Sequence, residues 1–304
     1  MNLPQVKLLV RNGFLPSEGF SPREDRSAML RWSSEQAGLP AWHSLPVSHL
    51  SVLPEIQRTV LADRTVDDDS LLVFLEGDAH LVCRRFYEPD QFARRLVTAM
   101  TEAAADILLS SCTVCHPATA KLVTLCDRHF GKVIPNRYIS QDGWVARAGA
   151  LRRLVRRHGE RSLMEARWWA EVTEVTWGNY GNQPRIALDH ECRVFQPLDD
   201  MVRDLAPAPY SLINSRTGEH PMFLQRASIC SLGPWMEMLW PSGPGPTWER
   251  YLGEYEKQPY DVVLDSGELL VEVWPNAGTF NDMSGGDRTV PCDRAVWMRA
   301  REIA

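Results

Sequence analysis

The chain has 304 residues, 44% of them hydrophobic, with 39 acidic and 33 basic side chains and a net charge of -6. That size supports one large α/β domain or two small ones, and the acidic balance excludes a global attraction to nucleic acid, so any such contact has to be local. No apolar run approaches the roughly 20 residues of a membrane span, the first residues lack a secretion signal's charged-then-apolar layout, and seven cysteines spread along the chain fit reduced thiols in a cytoplasmic protein better than a disulfide framework.

Val6 to Val10 is a short apolar run and reads as the first strand; a loop rich in Gly, Pro, Ser and charge follows, from Arg11 to about Asp25. Ser27 to Ala37 reads as a helix with Met29, Leu30 and Trp32 on its apolar side, Trp42 to Val47 as an edge-like strand, and Leu53 to Ala62 as a helix. Leu71 to Leu75 is five apolar residues in a row, a strand buried on both faces, and it runs directly into Glu76-Gly77-Asp78-Ala79-His80. A buried strand ending in acids sets them at the carboxyl edge of an open α/β sheet, where ligands bind. If the chain stays extended, Glu76, Asp78 and His80 share one face. Two carboxylates there suit a hard divalent cation held against phosphates; the alternative is a strand that ends in a solvated polar turn.

Pro89 starts a helix whose inner face is Phe92, Leu96, Val97 and Met100. Asp106 to Ser110 reads as a buried strand ending at Ser111-Cys112, Ala118 to Phe130 as a helix, and Arg137 to Val145 as strand and turn. Ala148 to His158 is amphipathic: Leu151, Leu154 and Val155 face in, while Arg152, Arg153, Arg156 and Arg157 face out. Such a face is either solvated or a surface for phosphates. Leu163 to Val175 reads as helical and carries Trp168 and Trp169; Arg185 to Leu188 and Arg193 to Gln196 are short strands around Asp189-His190, and Tyr210 to Ile213 is a later strand. Pro241 to Pro246 breaks the chain before a helix at Trp248 to Tyr255. Val262 to Leu264 and Leu269 to Val273 then flank Asp265-Ser266-Gly267-Glu268 as a hairpin. The division expected is an α/β domain over 1–258 and a small β-rich C-terminal extension over 259–304.

Cys112-Thr113-Val114-Cys115-His116 spells the C-x-x-C-H pattern of haem attachment. A haem needs an exported compartment, and a zinc site needs a second ligand pair at suitable spacing, which is not evident. The remaining reading is thiols packed as small hydrophobes.

Several of these segments, in order, resemble the glycosyltransferase domain of the procollagen lysyl hydroxylases. Arg185-Ile186-Ala187-Leu188-Asp189-His190-Glu191-Cys192-Arg193-Val194-Phe195-Gln196-Pro197-Leu198-Asp199 is similar to that family's strand-turn-strand around Leu-Asp-His, Cys and Ile-Phe-Gln. Tyr251-Leu252-Gly253-Glu254-Tyr255 resembles its Tyr-Leu-Gly-Asn-Tyr, and Val114-Cys115-His116-Pro117 its Phe-Cys-Trp-Pro. Arg137-Tyr138-Ile139 and Gly143-Trp144-Val145 frame the place of its Leu-Asn-Ser-Gly-Gly-Phe-Ile loop. The order holds from about residue 6 to residue 258.

The resemblance implies a GT-A type Rossmann-like domain that uses a UDP-sugar and Mn2+ or Mg2+. In the family the metal motif is Asp-Ser-Tyr-Asp and a His; here Glu76 takes the first acidic place, Asp78 falls one residue short of the second, and Asn214 replaces the His. Glu76, Asp78 and Asn214 are thus the implied metal ligands, with His80 as a possible substitute. Val10, at the end of the first strand, and Arg216, a cation for the diphosphate, complete the donor site. Departure of UDP from an oxocarbenium-like state needs a cation and a base for the acceptor hydroxyl. Asp142 and Glu165 are the candidate bases, and Trp144 is a candidate stacking partner for sugar or acceptor or else a core residue. The family's dioxygenase domain is not expected here, and a cytoplasmic protein does not meet collagen. Viral and bacterial relatives point instead to 5-hydroxymethylcytosine in DNA, held by Arg152, Arg153, Arg156 and Arg157 and flipped into the site. The alternatives are transfer to protein, polysaccharide or a small hydroxylated molecule, or a non-catalytic descendant that binds nucleotide or DNA.

Overall fold

Six of the apolar runs assemble into one sheet. The computed structural model describes residues 3–11, 27–45, 53–77, 79–88, 90–113, 115, 120–132, 136–158, 168–173, 183–197, 205–208 and 211–225, and the strands at 262–263, 269–273 and 296–299. Strand β1 (Val6–Arg11) leads through α1 (Ala28–Ala37) to the edge strand β2 (Trp42–Leu45). Helix α2 (Leu53–Ile56) continues as a π-helical turn over Gln57–Leu61, and the chain crosses to the other side of β1 as β3 (Leu71–Glu76). A short strand β4 (His80–Val82), α3 (Gln91–Glu102), β5 (Ile107–Cys112), α4 (Ala120–Phe130), β6 (Tyr138–Arg147), α5 (Ala148–His158) and β7 (Ile186–Leu188) follow. The sheet order is β2-β1-β3-β6-β5-β7. All neighbours are parallel except β6, which lies antiparallel between β3 and β5. The chain is therefore a mixed α/β fold on a central, mostly parallel sheet, compatible with a Rossmann-like architecture.

Both faces of this sheet are covered at its centre, which is why β1 and β3 read as near-continuous apolar runs. Leu9, Leu72, Phe74, Leu109 and Trp144 point into one core with side chains of α2, α4, α5 and the helical residues 168–173. Leu8, Val10, Leu71, Val73, Leu75 and Val145 point the other way, toward α1 and α3. The period-two alternation thus sorts each strand between two cores. Helix α5 spans the residues the amphipathic pattern predicts, with Leu151, Leu154 and Val155 buried. The helix at Pro89 begins later, at Gln91, and buries Phe92, Leu96 and Met100. Arg137 to Val145 is not strand and turn: the strand β6 runs through it, with its register to β5 shifting between Ile139 and Trp144, where β6 carries the extra residues opposite Leu109 to Ser111.

A second sheet lies on the α1/α3 face. It joins β4, β8 (Phe195–Pro197) and β11 (Phe223–Gln225) in the order β4-β11-β8. Beside it β9 (Leu205–Ala208) pairs with β10 (Ser211–Asn214). Its register is held by the turn after β7, where the buried Asp189 carboxylate accepts the backbone N–H groups of Arg193, Val194 and Phe195. His190 Nδ1 donates to the carbonyl of Asn136 at 2.6 Å, and Cys192 adopts a left-handed φ of 56° to close the turn. A separate three-stranded sheet, β12 (Val262–Val263), β13 (Leu269–Val273) and β14 (Val296–Arg299), carries the predicted antiparallel pair. Among the described residues no helix is long and apolar enough to cross a membrane.

Three histidines, His158, His190 and His220, are held below the usual range by burial, and they make the fold sensitive to acid. Burial holds His190 below the usual histidine range; burial, then Arg84 and Arg95, does the same to His220. The unfolded chain therefore takes up these protons first as pH falls. The stability they contribute is complete above about pH 6.5, the unperturbed histidine value, and is lost as pH drops through it toward the lower folded values. A urea midpoint that falls between about pH 7 and pH 5.5, and falls less in the His190→Gln, His220→Gln double variant, is expected. A wild-type midpoint flat over that interval contradicts it.

Candidate functional site

In an open sheet the ligand crevice forms at the carboxyl ends of the two strands where the winding reverses. Here that place is fixed by topology: β1 leads to β2 on one side, and β3 returns on the other. The register sets Arg11 beside Glu76 at this corner. Glu76 is not extended toward a ligand. It is 1% exposed, and Arg11, 4% exposed, closes on it with Nε donating to Oε2 at 2.9 Å and Nη2 against Oε1. Gly77 completes the packing, because a Cβ there would stand 2.6 Å from the Ser27 Cβ and 2.9 Å from the Arg11 carbonyl oxygen. Val10 is wholly buried in the sheet at the same corner. The acidic pair expected beside Gly77 is thus reduced, among the described residues, to one carboxylate neutralised by a guanidinium; Asp78 lies outside them.

The extended run from Glu76 to His80 is not formed. The Ala79 N–H donates to the Glu76 carbonyl, so the chain turns and β4 leaves for the second sheet. His80 is buried, its Nδ1 3.0 Å from the same carbonyl oxygen and its ring edge-on to Phe195 and Phe223. Gly143 fits over it: a Cβ at that position would be 2.7 Å from Phe195 Cε1 and 3.0 Å from His80 Nε2.

The polar part of the carboxyl edge lies one strand further on. Because Leu75 pairs with Gly143, Asp142 reaches the edge at the level of Glu76. Asp142 is half-buried, and its Oδ2 accepts Gln225 Nε2 at 3.1 Å and Ser140 Oγ at 3.3 Å. Gln225 also donates to Ser140 Oγ and accepts the Ser110 hydroxyl. Ser110, Ser140 and Gln225 are buried, so this is a hydrogen-bonded polar network at the end of an otherwise apolar sheet. Sequence reading finds Asp142 but misses Ser110 and Gln225, which lie 115 residues apart.

The other expected ligands are not gathered here. Asn214 is buried; its Nδ2 donates to Gln196 Oε1 at 2.8 Å, and its Oδ1 accepts the backbone N–H groups of Arg216 and Thr217. It caps the turn after β10, which leaves Arg216 exposed on that turn. Gln196 alternates with Phe195 and Pro197, so Asn214 stands on the opposite face of the second sheet from Phe195. Among the described residues no three His, Cys, Asp or Glu side chains stand together as a metal site. Glu76 and Asn214, as they are paired, do not fit a shared cation. Glu165 lies outside the described residues.

Trp144 is a core residue: it is fully buried, stacked on Phe74 at 5.3 Å and edge-on to Trp169. It has no surface to offer a sugar. Arg152 is also engaged internally. Its Nε and Nη2 donate to the carbonyls of Leu61, Asp63 and Val66, and Nη1 pairs with Asp68. A cleft of ≈ 330 Å³ lined by these loop residues opens at the amino edge of the sheet, the end opposite Glu76. Arg153, Arg156 and Arg157 are exposed on α5. Cys112 and Cys115 are buried; burial pushes the Cys115 thiol up to about 12 and that of Cys126 up to about 11, so these groups are inert hydrophobes. Val114 and His116, the rest of the C-x-x-C-H run, lie outside the described residues, as do the Pro241 to Pro246 break and the Trp248 to Tyr255 helix.

No protein-family model and no curated protein sequence matches the chain. Among solved structures, a mannose-6-phosphate isomerase from Helicobacter pylori is similar to it at 13% identity with a TM-score of 0.28, covering 60% of this chain and 85% of that one. A likeness of that size assigns neither fold nor activity.

Proposed function

We propose that this protein is a glycosyltransferase that moves a sugar from a UDP-sugar to a hydroxyl acceptor at the carboxyl edge of the main sheet. The observation that supports it most is the half-buried Asp142 carboxylate, held by Gln225 and Ser140 next to the corner where the sheet reverses its winding. That is where an α/β sheet receives nucleotides, and a positioned carboxylate is what deprotonation of an acceptor hydroxyl requires. The order of the motifs shared with the lysyl hydroxylase glycosyltransferase domain agrees with this reading. No step is assigned to a divalent cation, since Glu76 is already matched by Arg11. The proposed acceptor is 5-hydroxymethylcytosine in DNA, and the support for it is the positive face of Arg153, Arg156 and Arg157.

The test is release of UDP from a panel of UDP-sugars in the presence of 5-hydroxymethylcytosine DNA, with the mass of the base followed in parallel. Asp142→Asn is expected to lower turnover by about 10²- to 10⁴-fold, the usual contribution of a general base, at unchanged melting temperature. Charge reversal of Arg153, Arg156 and Arg157 to Glu is expected to abolish DNA retention without touching UDP binding. Transfer to another hydroxyl compound but not to DNA would move the acceptor to protein, polysaccharide or a small molecule.

A second reading is favoured by one observation. Glu76 and Asn214, the metal ligands that the resemblance implies, are here closed on by Arg11 and engaged in capping a turn. A non-catalytic descendant that still binds nucleotide would keep such a neutralised corner. UDP binding with no UDP release from any donor would establish it in place of the enzyme.

A further inference from the structure

We infer that Gln225 is the positioning residue of the Asp142 carboxylate; this rests on the glycosyl-transfer reading above. Gln225 ends a three-residue strand of the second sheet, yet its side chain reaches β5 and β6 of the main sheet. It is 4% exposed. A buried primary amide is costly unless its donors and acceptor are matched, and here all are: Nε2 serves Ser140 Oγ and Asp142 Oδ2, and Oε1 takes the Ser110 hydroxyl.

The orientation of the amide follows from chemistry. An ionised carboxylate can only accept, so the amide nitrogen has to face Asp142. The oxygen then faces Ser110, whose hydroxyl can turn to donate. Ser110 therefore fixes the amide, and the amide fixes one carboxylate oxygen. The N–H so placed favours the ionised form of Asp142, which is the form a base needs. In the step this serves, the acceptor hydroxyl gives its proton to Asp142 while its oxygen bonds the sugar's C1. The bond from C1 to the diphosphate oxygen breaks, and its electron pair leaves with UDP. The proton on Asp142 then passes to water. Gln225 touches neither substrate nor reacting atom; it acts through Asp142.

The experiment uses the full chain, UDP-glucose and UDP-galactose as donors, and 5-hydroxymethylcytosine DNA or water as acceptor. Gln225→Leu removes the amide. Gln225→Glu keeps the length and the contact to Ser110 but sets a like charge on Asp142. Both are expected to lower kcat by on the order of 10²-fold with the donor KM within about twofold, as loss of base action does. The acid limb of the pH–rate profile moves up by about one pH unit in Gln225→Leu and further in Gln225→Glu. Gln225→Glu serves if Gln225→Leu melts early. Wild-type kcat and an unmoved acid limb in folded Gln225→Glu overturn the role of Gln225 while leaving the enzyme reading intact. A wild-type protein that releases no UDP overturns both.

Discussion

Glu76→Ala is expected to destabilise the protein by about 3–5 kcal/mol, the cost of breaking a buried ion pair from one side. The penalty comes from the partner left behind: Arg11 is 4% exposed at the end of a central strand, and its guanidinium would lose the buried carboxylate it closes on. Removing both charges avoids that. Arg11→Met with Glu76→Leu is expected to recover most of the loss, since well-packed apolar residues replace a buried pair at little net cost. Urea unfolding of the two single variants and the double variant checks this through the coupling energy between the sites. The result also bears on function. A carboxylate that served only as a metal ligand would leave the fold intact when truncated, so an unaltered urea midpoint for Glu76→Ala would return Glu76 to the ligand role that its place in the sequence suggests.

Asp189→Ala is expected to cost a similar amount, about 3–5 kcal/mol. A buried donor left without its acceptor costs about 1–3 kcal/mol, and such costs do not add fully. The carboxylate receives three backbone N–H groups, from Arg193 at 2.9 Å and from Val194 and Phe195 at 2.8 Å each. Truncation leaves those donors buried without an acceptor and releases the turn that delivers β8 to the second sheet. Phe195 would be the first side chain to shift, and it packs against Gly143 and His80 under the carboxyl edge. Asp189→Asn keeps one acceptor oxygen and is expected to lose about half as much. Thermal melts of both variants measure it. If Asp189→Ala melts like the wild type, the turn is held by backbone pairing alone, and the Leu-Asp-His run that carries the family resemblance has no structural duty.

Both predictions treat acids of the proposed family motifs as parts of the scaffold. That leaves Asp142 as the half-exposed carboxylate on the carboxyl edge among the described residues, and it is the reason the proposed chemistry centres there instead of on Glu76. On α5 three exposed arginines remain for a polyanion, because Arg152 is consumed by the carbonyls of the 61–66 loop.

What the residues determined by themselves is the set of long elements and their inward faces. The five-residue apolar run at Leu71, the period of α5 and the run at Ile107 specify strand, helix and strand locally, because side-chain direction repeats every 2 or 3.6 residues whatever lies across the gap. The same rule fails for β4 and β11: three residues hold too little pattern to be told from a loop. Partners were decided only by the tertiary structure. Whether Glu76 meets a metal, water or a guanidinium depends on Arg11, 65 residues earlier, and on the parallel register that sets them side by side. Whether Trp144 stacks on a sugar or on Phe74 depends on β6 being inserted antiparallel between β3 and β5. The amide on Asp142 arrives from another sheet, 83 residues away. A periodic pattern records which face of an element is buried; it carries no record of which distant side chain will be waiting there.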